Sequence, residues 1–126
     1  MSVIGYVTIG ALDVEAAMPF YDALFEAMGG KRHWFSGGWA GYGPQEGEAS
    51  VFVVPPFEGE ARAGNGIMVA LKTDSKAQVK AAYDAGLAAG GKDEGAPGPR
   101  PEDSTSFWGA YLRDPTGNKL CVYCAP

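Results

Sequence analysis

Apolar residues first alternate and then step three and four apart, and this change of period marks the opening elements. Residues 4–11 place Val7 and Ile9 two apart, the period of a half-buried strand. From Val14 the apolar positions become Ala17, Met18, Tyr21, Leu24, Phe25 and Met28, one stripe of an amphipathic helix. Asp13 stands where a capping carboxylate accepts a first-turn N–H, and Gly29-Gly30 ends the stripe. Pro19 falls inside it. Lacking an N–H, proline costs about 3 kcal/mol in a regular helix interior, so a local irregularity or a later helix start is expected. Strand candidates follow over 31–36, 39–42 and 50–54, separated by Gly37-Gly38 and by a turn over 43–48, and stopped by Pro55-Pro56. Residues 57–65 read as a connector.

The pattern then restarts. Residues 67–72 read as a strand, Ser75 with Gln78 as a capping box, and Val79, Ala82, Tyr83, Gly86 and Leu87 as one helical face ended by Gly90-Gly91. The Gly/Pro-rich stretch 95–106 reads as a long irregular loop, the kind often used as a lid or binding loop. Strands are expected over 107–113 and 118–124. Asp114-Pro115-Thr116-Gly117 forms the turn between them: Pro presets one dihedral and Gly tolerates positive φ. Short identities accompany the matching element order. Tyr21-Asp22-Ala23 recurs as Tyr83-Asp84-Ala85 and Gly29-Gly30-Lys31 as Gly90-Gly91-Lys92, offsets of 62 and 61, about half the chain. Duplication accounts for both, and two such sheets can curl together around a cleft.

Composition narrows the function classes. The 126 residues suit one domain, and 46% hydrophobic with 20% charged excludes intrinsic disorder. No apolar run approaches the roughly 18 residues of a membrane span. A net charge of -5 disfavours nucleic acid as a partner. Met1-Ser2-Val3 opens without a basic region and apolar stretch, so no signal peptide and a cytoplasmic location are expected. Cys121 and Cys124 form C-x-x-C, the spacing of a redox pair or half a zinc site; on a strand, however, positions three apart face opposite ways, which favours two packed thiols. The single histidine, His33, excludes any site needing two imidazoles from one chain, and it reads as a packed or surface residue.

Tyr6-Val-Thr-Ile-Gly at the start, Phe20-Tyr21 in the first helix and Arg113-Asp-Pro-Thr-Gly-Asn118 before the last strand resemble the vicinal oxygen chelate superfamily. That superfamily contains glyoxalase I, extradiol dioxygenases, and bleomycin- and fosfomycin-resistance proteins. The resemblance covers essentially the whole chain. It implies an α+β fold of two βαβββ modules, about 1–56 and 65–126 around a connector at 57–64, in a cup-shaped mixed sheet. It also implies a homodimer.

Metal-dependent members carry a ligand on the first and last strand of each module. Carried over, those positions are Tyr6, Phe52, Met68 and Cys121 in place of His and Glu. Phe has no ligand atom and thioether is soft, so the metal site is expected to be lost and no cofactor is expected. The same residues would floor an apolar pocket with Thr8, Val54, Ala70 and Tyr123 on the same strand faces, and Trp34, Trp39 and Trp108 are candidate walls. Lys72 and Arg113, near strand ends, are placed to meet an anion but read as solvated charges. Glu102-Asp103-Ser104 stand where similar proteins carry loop histidines. The expected ligand-binding set is Tyr6, Thr8, Phe52, Met68, Trp108, Cys121 and Tyr123, with no catalytic residue assigned. The favoured reading is a binding protein for a small apolar or aromatic molecule. The alternatives are a metal-dependent lyase or dioxygenase of the glyoxalase type with atypical ligands, in which Tyr6 acts as acid and Cys121 as ligand or nucleophile, and a partner-binding module.

Overall fold

Helix α1 forms where the apolar stripe predicts it. In the computed structural model, which describes residues 3–126, α1 spans Val14–Ala27 and the Asp13 carboxylate accepts the Ala16 N–H at 3.1 Å. The expectation at Met1-Ser2 lies outside the described residues. Pro19 does not break the helix or delay its start. It lies on the exposed side, where the Glu15 carbonyl that loses its amide donor can turn to water. Strand β1 (Val7–Gly10) precedes α1, and β2 (Gly30–Ser36), β3 (Trp39–Pro44) and β4 (Val51–Val54) follow it. The second module repeats the order as β5 (Val69–Lys72), α2 (Lys76–Ala88), β6 (Lys92–Pro99), β7 (Trp108–Arg113) and β8 (Lys119–Cys124). Ser75 caps α2 through the Gln78 N–H at 3.1 Å, while the Gln78 side chain accepts from the Asp74 N–H at 2.9 Å instead of from the cap itself.

The fold is α+β, two βαβββ modules. Each module carries one four-stranded mixed sheet, ordered β1-β4-β3-β2 and β5-β8-β7-β6, with its first strand parallel to its last. The stretch read as loop from residue 95 is in part strand β6. It lies at a sheet edge and its register slips between Asp93 and Gly95 and between Gly95 and Gly98, so Pro97 and Pro99 are tolerated where a central strand would reject them. Alternation failed as a signal there because bulges interrupt it.

One core joins the modules. Val7, Ile9, Val51, Val53 and Tyr42 from the first sheet meet Leu71, Leu112, Leu120 and Val122 from the second, with both helices among them. The helices touch across Gly86, where an added Cβ would stand 3.2 Å from Phe20 and 3.5 Å from Leu24. Hydrogen bonds also cross between modules: Tyr21 Oη to Asp114 Oδ2 at 2.5 Å, Asn118 Nδ2 to the Gly10 carbonyl at 2.8 Å, and the Leu12 N–H to Thr116 Oγ1 at 3.1 Å. Among the described residues no helix is long and apolar enough to cross a membrane.

Candidate functional site

Strand register fixes which residues share a face. Thr8 lies opposite Phe52 and Ala70 opposite Cys121, so Phe52 and Cys121 occupy equivalent positions in the two modules. Successive residues alternate faces. The core takes Val7, Ile9, Val51 and Val53 in module one and Leu71, Leu120, Val122 and Cys124 in module two. Tyr6, Thr8 and Phe52, and likewise Met68, Ala70, Cys121 and Tyr123, therefore line the faces turned away from that core. Cys121 and Cys124 point to opposite sides, as strand geometry requires.

On the first face Phe52 gathers the aromatics. Tyr6 stacks on it at 4.5 Å, and Trp34 and Trp39 approach at 5.1 and 6.1 Å. Gly41 lies between Trp34 and Phe52 in the register, and an added Cβ would meet the Trp34 indole at 2.4 Å. Glycine there lets the indole lie on the sheet. Tyr6 stays 57% exposed, and Trp34 and Trp39 37% and 38%, so this aromatic surface is open to solvent.

The second face is built differently. Phe107 stacks on Tyr123 at 5.1 Å. Tyr111, opposite Cys121 on the neighbouring strand, has the Arg100 guanidinium 5.5 Å and the Lys119 ammonium 5.6 Å from its ring centre. Burial raises the Cys121 thiol above its ordinary pKa, opposed by its hydrogen bond with Tyr111 and by the Arg100 and Lys119 charges. With the thiol also only 1% exposed, Cys121 is poorly placed to act as a nucleophile.

Trp108 does not join this group. It lies on the core side of β7, partly buried, with Lys76 of α2 over its ring at 4.5 Å. Two-residue alternation from the buried Ala110 and Leu112 places it there, a signal the sequence carried. Met68 lines a groove of about 680 Å³ with Val7, Phe25, Met28 and Val69, and Thr8 lines a smaller one of about 210 Å³ with Val69 and Asn118. Tyr6, Phe52, Cys121 and Tyr123 line neither. Of the cations near strand ends, Arg113 binds Glu94 at 2.8 Å. His33 Nε2 is hydrogen-bonded with the Pro44 carbonyl at 2.7 Å. Sequence reasoning missed Arg100, Tyr111 and Lys119. Alternation from Cys121 reaches Lys119, whereas Arg100 arrives through a bulged edge that no periodicity announces.

The donor set does not fit the imidazole and carboxylate shell of the metal-dependent proteins that the sequence resembles. Phe52 offers no donor, Tyr6 a phenol, Met68 a thioether and Cys121 a single buried thiol. Among the described residues no three His, Cys, Asp or Glu side chains come together.

The model of the Glyoxalase/Bleomycin resistance protein/Dioxygenase superfamily matches residues 3–122. A glyoxalase/bleomycin resistance protein from Albidiferax ferrireducens T118 superposes with a TM-score of 0.87 at 32% identity, covering 99% of this chain and 100% of that one. A glyoxalase/bleomycin resistance protein/dioxygenase family enzyme from Burkholderia phytofirmans PsJN gives 0.73 at 20% identity, over 99% and 100%. A lactoylglutathione lyase from Agrobacterium tumefaciens gives 0.66 at 21%, over 98% and 94%; at that identity the likeness is one of fold. No curated protein matches the chain.

Proposed function

The chain belongs to the Glyoxalase/Bleomycin resistance protein/Dioxygenase superfamily, and on that premise we propose that it binds a small apolar or aromatic molecule on the sheet faces carrying Tyr6, Phe52 and Cys121, without the superfamily's metal. The observation that carries this reading is Phe52. It occupies a position where metal-dependent relatives are expected to place a carboxylate, and it is instead the hub of Tyr6, Trp34 and Trp39. Aromatic rings left open beside a packed sheet favour a flat apolar guest. The raised thiol of Cys121 gives the lyase or dioxygenase alternative no ready nucleophile. Two free thiols fit a reducing, cytoplasmic compartment.

The test is a titration of EDTA-dialysed protein with 2-naphthamide, a neutral bicyclic aromatic, followed through tryptophan emission. Saturable binding of one molecule per protomer, unchanged by EDTA, is the expected result. No binding, or binding restored by one equivalent of a divalent metal that Cys121→Ala abolishes, would overturn the proposal and revive the enzyme reading.

The same faces favour a homodimer. Ile4, Tyr6, Ile67 and Met68, which flank the first strand of each module, are 65%, 57%, 67% and 42% exposed, apolar side chains that a second copy would cover. A symmetric partner covers such surface at least cost in design. Light scattering at micromolar concentration is expected to give twice the 13.2 kDa chain mass. A single-chain mass that does not rise with concentration counts against the dimer.

A further inference from the structure

The two faces have parted in chemistry. Where module one has Gly41 and Ser50, the register of module two puts Tyr111 and Lys119. Module one's face is aromatic around Phe52, whereas module two's carries two half-buried cations around a tyrosine.

The Arg100 guanidinium is held in place by the chain around it. Its Nη1 donates to the Pro99 carbonyl at 3.0 Å and its Nη2 to the Ala96 carbonyl at 2.9 Å. Added Cβ atoms at Gly95 and Gly98 would stand 3.2 and 3.0 Å from those nitrogens, so two glycines of β6 clear the slot in which the group lies against Tyr111. Two of its five N–H groups are spent on carbonyls and three remain. Of the carboxylates close in sequence, Glu94 is taken by Arg113 at 2.8 Å and Asp93 by the Tyr83 hydroxyl at 2.9 Å and the Gly95 N–H at 2.8 Å, while Glu102 and Asp103, two and three residues beyond Arg100, are exposed and form no ion pair with it. Among the described residues no ion pair includes Arg100 or Lys119. In a chain of net charge -5, two cations within 5.6 Å of one ring, Arg100 held by two carbonyls and neither in an ion pair among the described residues, make a site for an anion.

We propose that Arg100 and Lys119 recognise the carboxylate of an aromatic acid whose ring lies on the Phe107–Tyr123 pair beside Tyr111, making module two the anion-reading half of the ligand site. The ligand class is then a planar aromatic carboxylate, a narrower statement that rests on the reading of these faces as a ligand site.

Paired titrations with 2-naphthoate and 2-naphthamide separate the two readings. In low salt the carboxylate is expected to bind at least about tenfold more tightly than the amide, an advantage that shrinks as salt rises. Arg100→Met with Lys119→Met keeps the apolar stems and removes both charges. It is expected to bring the two affinities within about twofold of each other by weakening the carboxylate, in a protein that still unfolds cooperatively. Equal affinities in the unmodified protein, or a double variant that retains the full preference for the carboxylate, would overturn the anion site and leave the aromatic site standing. Loss of both compounds in the folded double variant would also overturn it, because the side chains would then act through packing. If neither compound binds the unmodified protein, both readings fall.

Discussion

Asp114→Ala is expected to lower the unfolding free energy by about 3–4 kcal/mol and the thermal midpoint by on the order of 10 °C. Asp114 is 3% exposed and its carboxylate organises the β7–β8 turn. Oδ1 accepts the N–H groups of Thr116, Gly117 and Asn118 at 3.0, 2.8 and 2.8 Å. Oδ2 accepts the Tyr21 hydroxyl at 2.5 Å and Asn118 Nδ2 at 2.9 Å. Truncation leaves these donors without their acceptor in a place water reaches poorly. It also unties α1 of module one from the turn of module two. Tyr21→Phe removes the link alone and is expected to cost about 1–2 kcal/mol, and the double variant to cost less than the sum. Burial, and then the Asp114 charge, hold the Tyr21 hydroxyl well above its ordinary pKa. With the folded value raised, the bond's contribution is full below the unfolded tyrosine pKa of about 10 and declines as pH rises beyond it. Denaturant melts of the three variants measure all of this. A loss under about 1 kcal/mol for Asp114→Ala would show that the turn is held by its backbone geometry alone.

The turn was readable from sequence because Asp-Pro-Thr-Gly carries its own local chemistry, with the side-chain acceptor, preset dihedral and permissive glycine within four residues. Both helices were readable for the same kind of reason, a stripe of apolar residues preceded by a capping side chain. Pro19 misled because the cost of a missing N–H depends on where the freed carbonyl points, and on an exposed helix side water takes it. β6 was hidden because an edge strand with prolines and two slips of register has neither period. The pairing of Phe52 with Cys121 came from the resemblance, and in the register Thr8 lies opposite Phe52 and Ala70 opposite Cys121. What the repeat could not show was how the two faces differ. Arg100 lies outside the 62-residue correspondence, at the end of a bulged strand, and its direction is set by carbonyls and glycine gaps that exist only in three dimensions.

Phe52→Ala is expected to weaken binding of 2-naphthamide by about 30-fold, on the order of 2 kcal/mol, while costing the fold only about 1–2 kcal/mol. The ratio follows from where the ring lies. Val51 and Val53 anchor β4 in the core on the other side of the strand, and Phe52 itself is half-buried among side chains that remain open to solvent. Removing it takes away the surface on which Tyr6 stacks and against which Trp34 and Trp39 lean. Those three then lose the shared orientation that a flat guest needs, and a guest must order them at its own cost. Tryptophan emission reads the loss directly. Trp34 and Trp39 become more solvated and shift to longer wavelength, whereas Trp108, on the core side of β7 beneath Lys76, keeps its environment. Phe52→Leu restores apolar area without a ring and is expected to recover part of the affinity and little of the emission. An affinity for Phe52→Ala within about twofold of the unmodified protein would place the guest elsewhere, and the 680 Å³ groove lined by Met68 and Phe25 would be the next surface to probe by substitution.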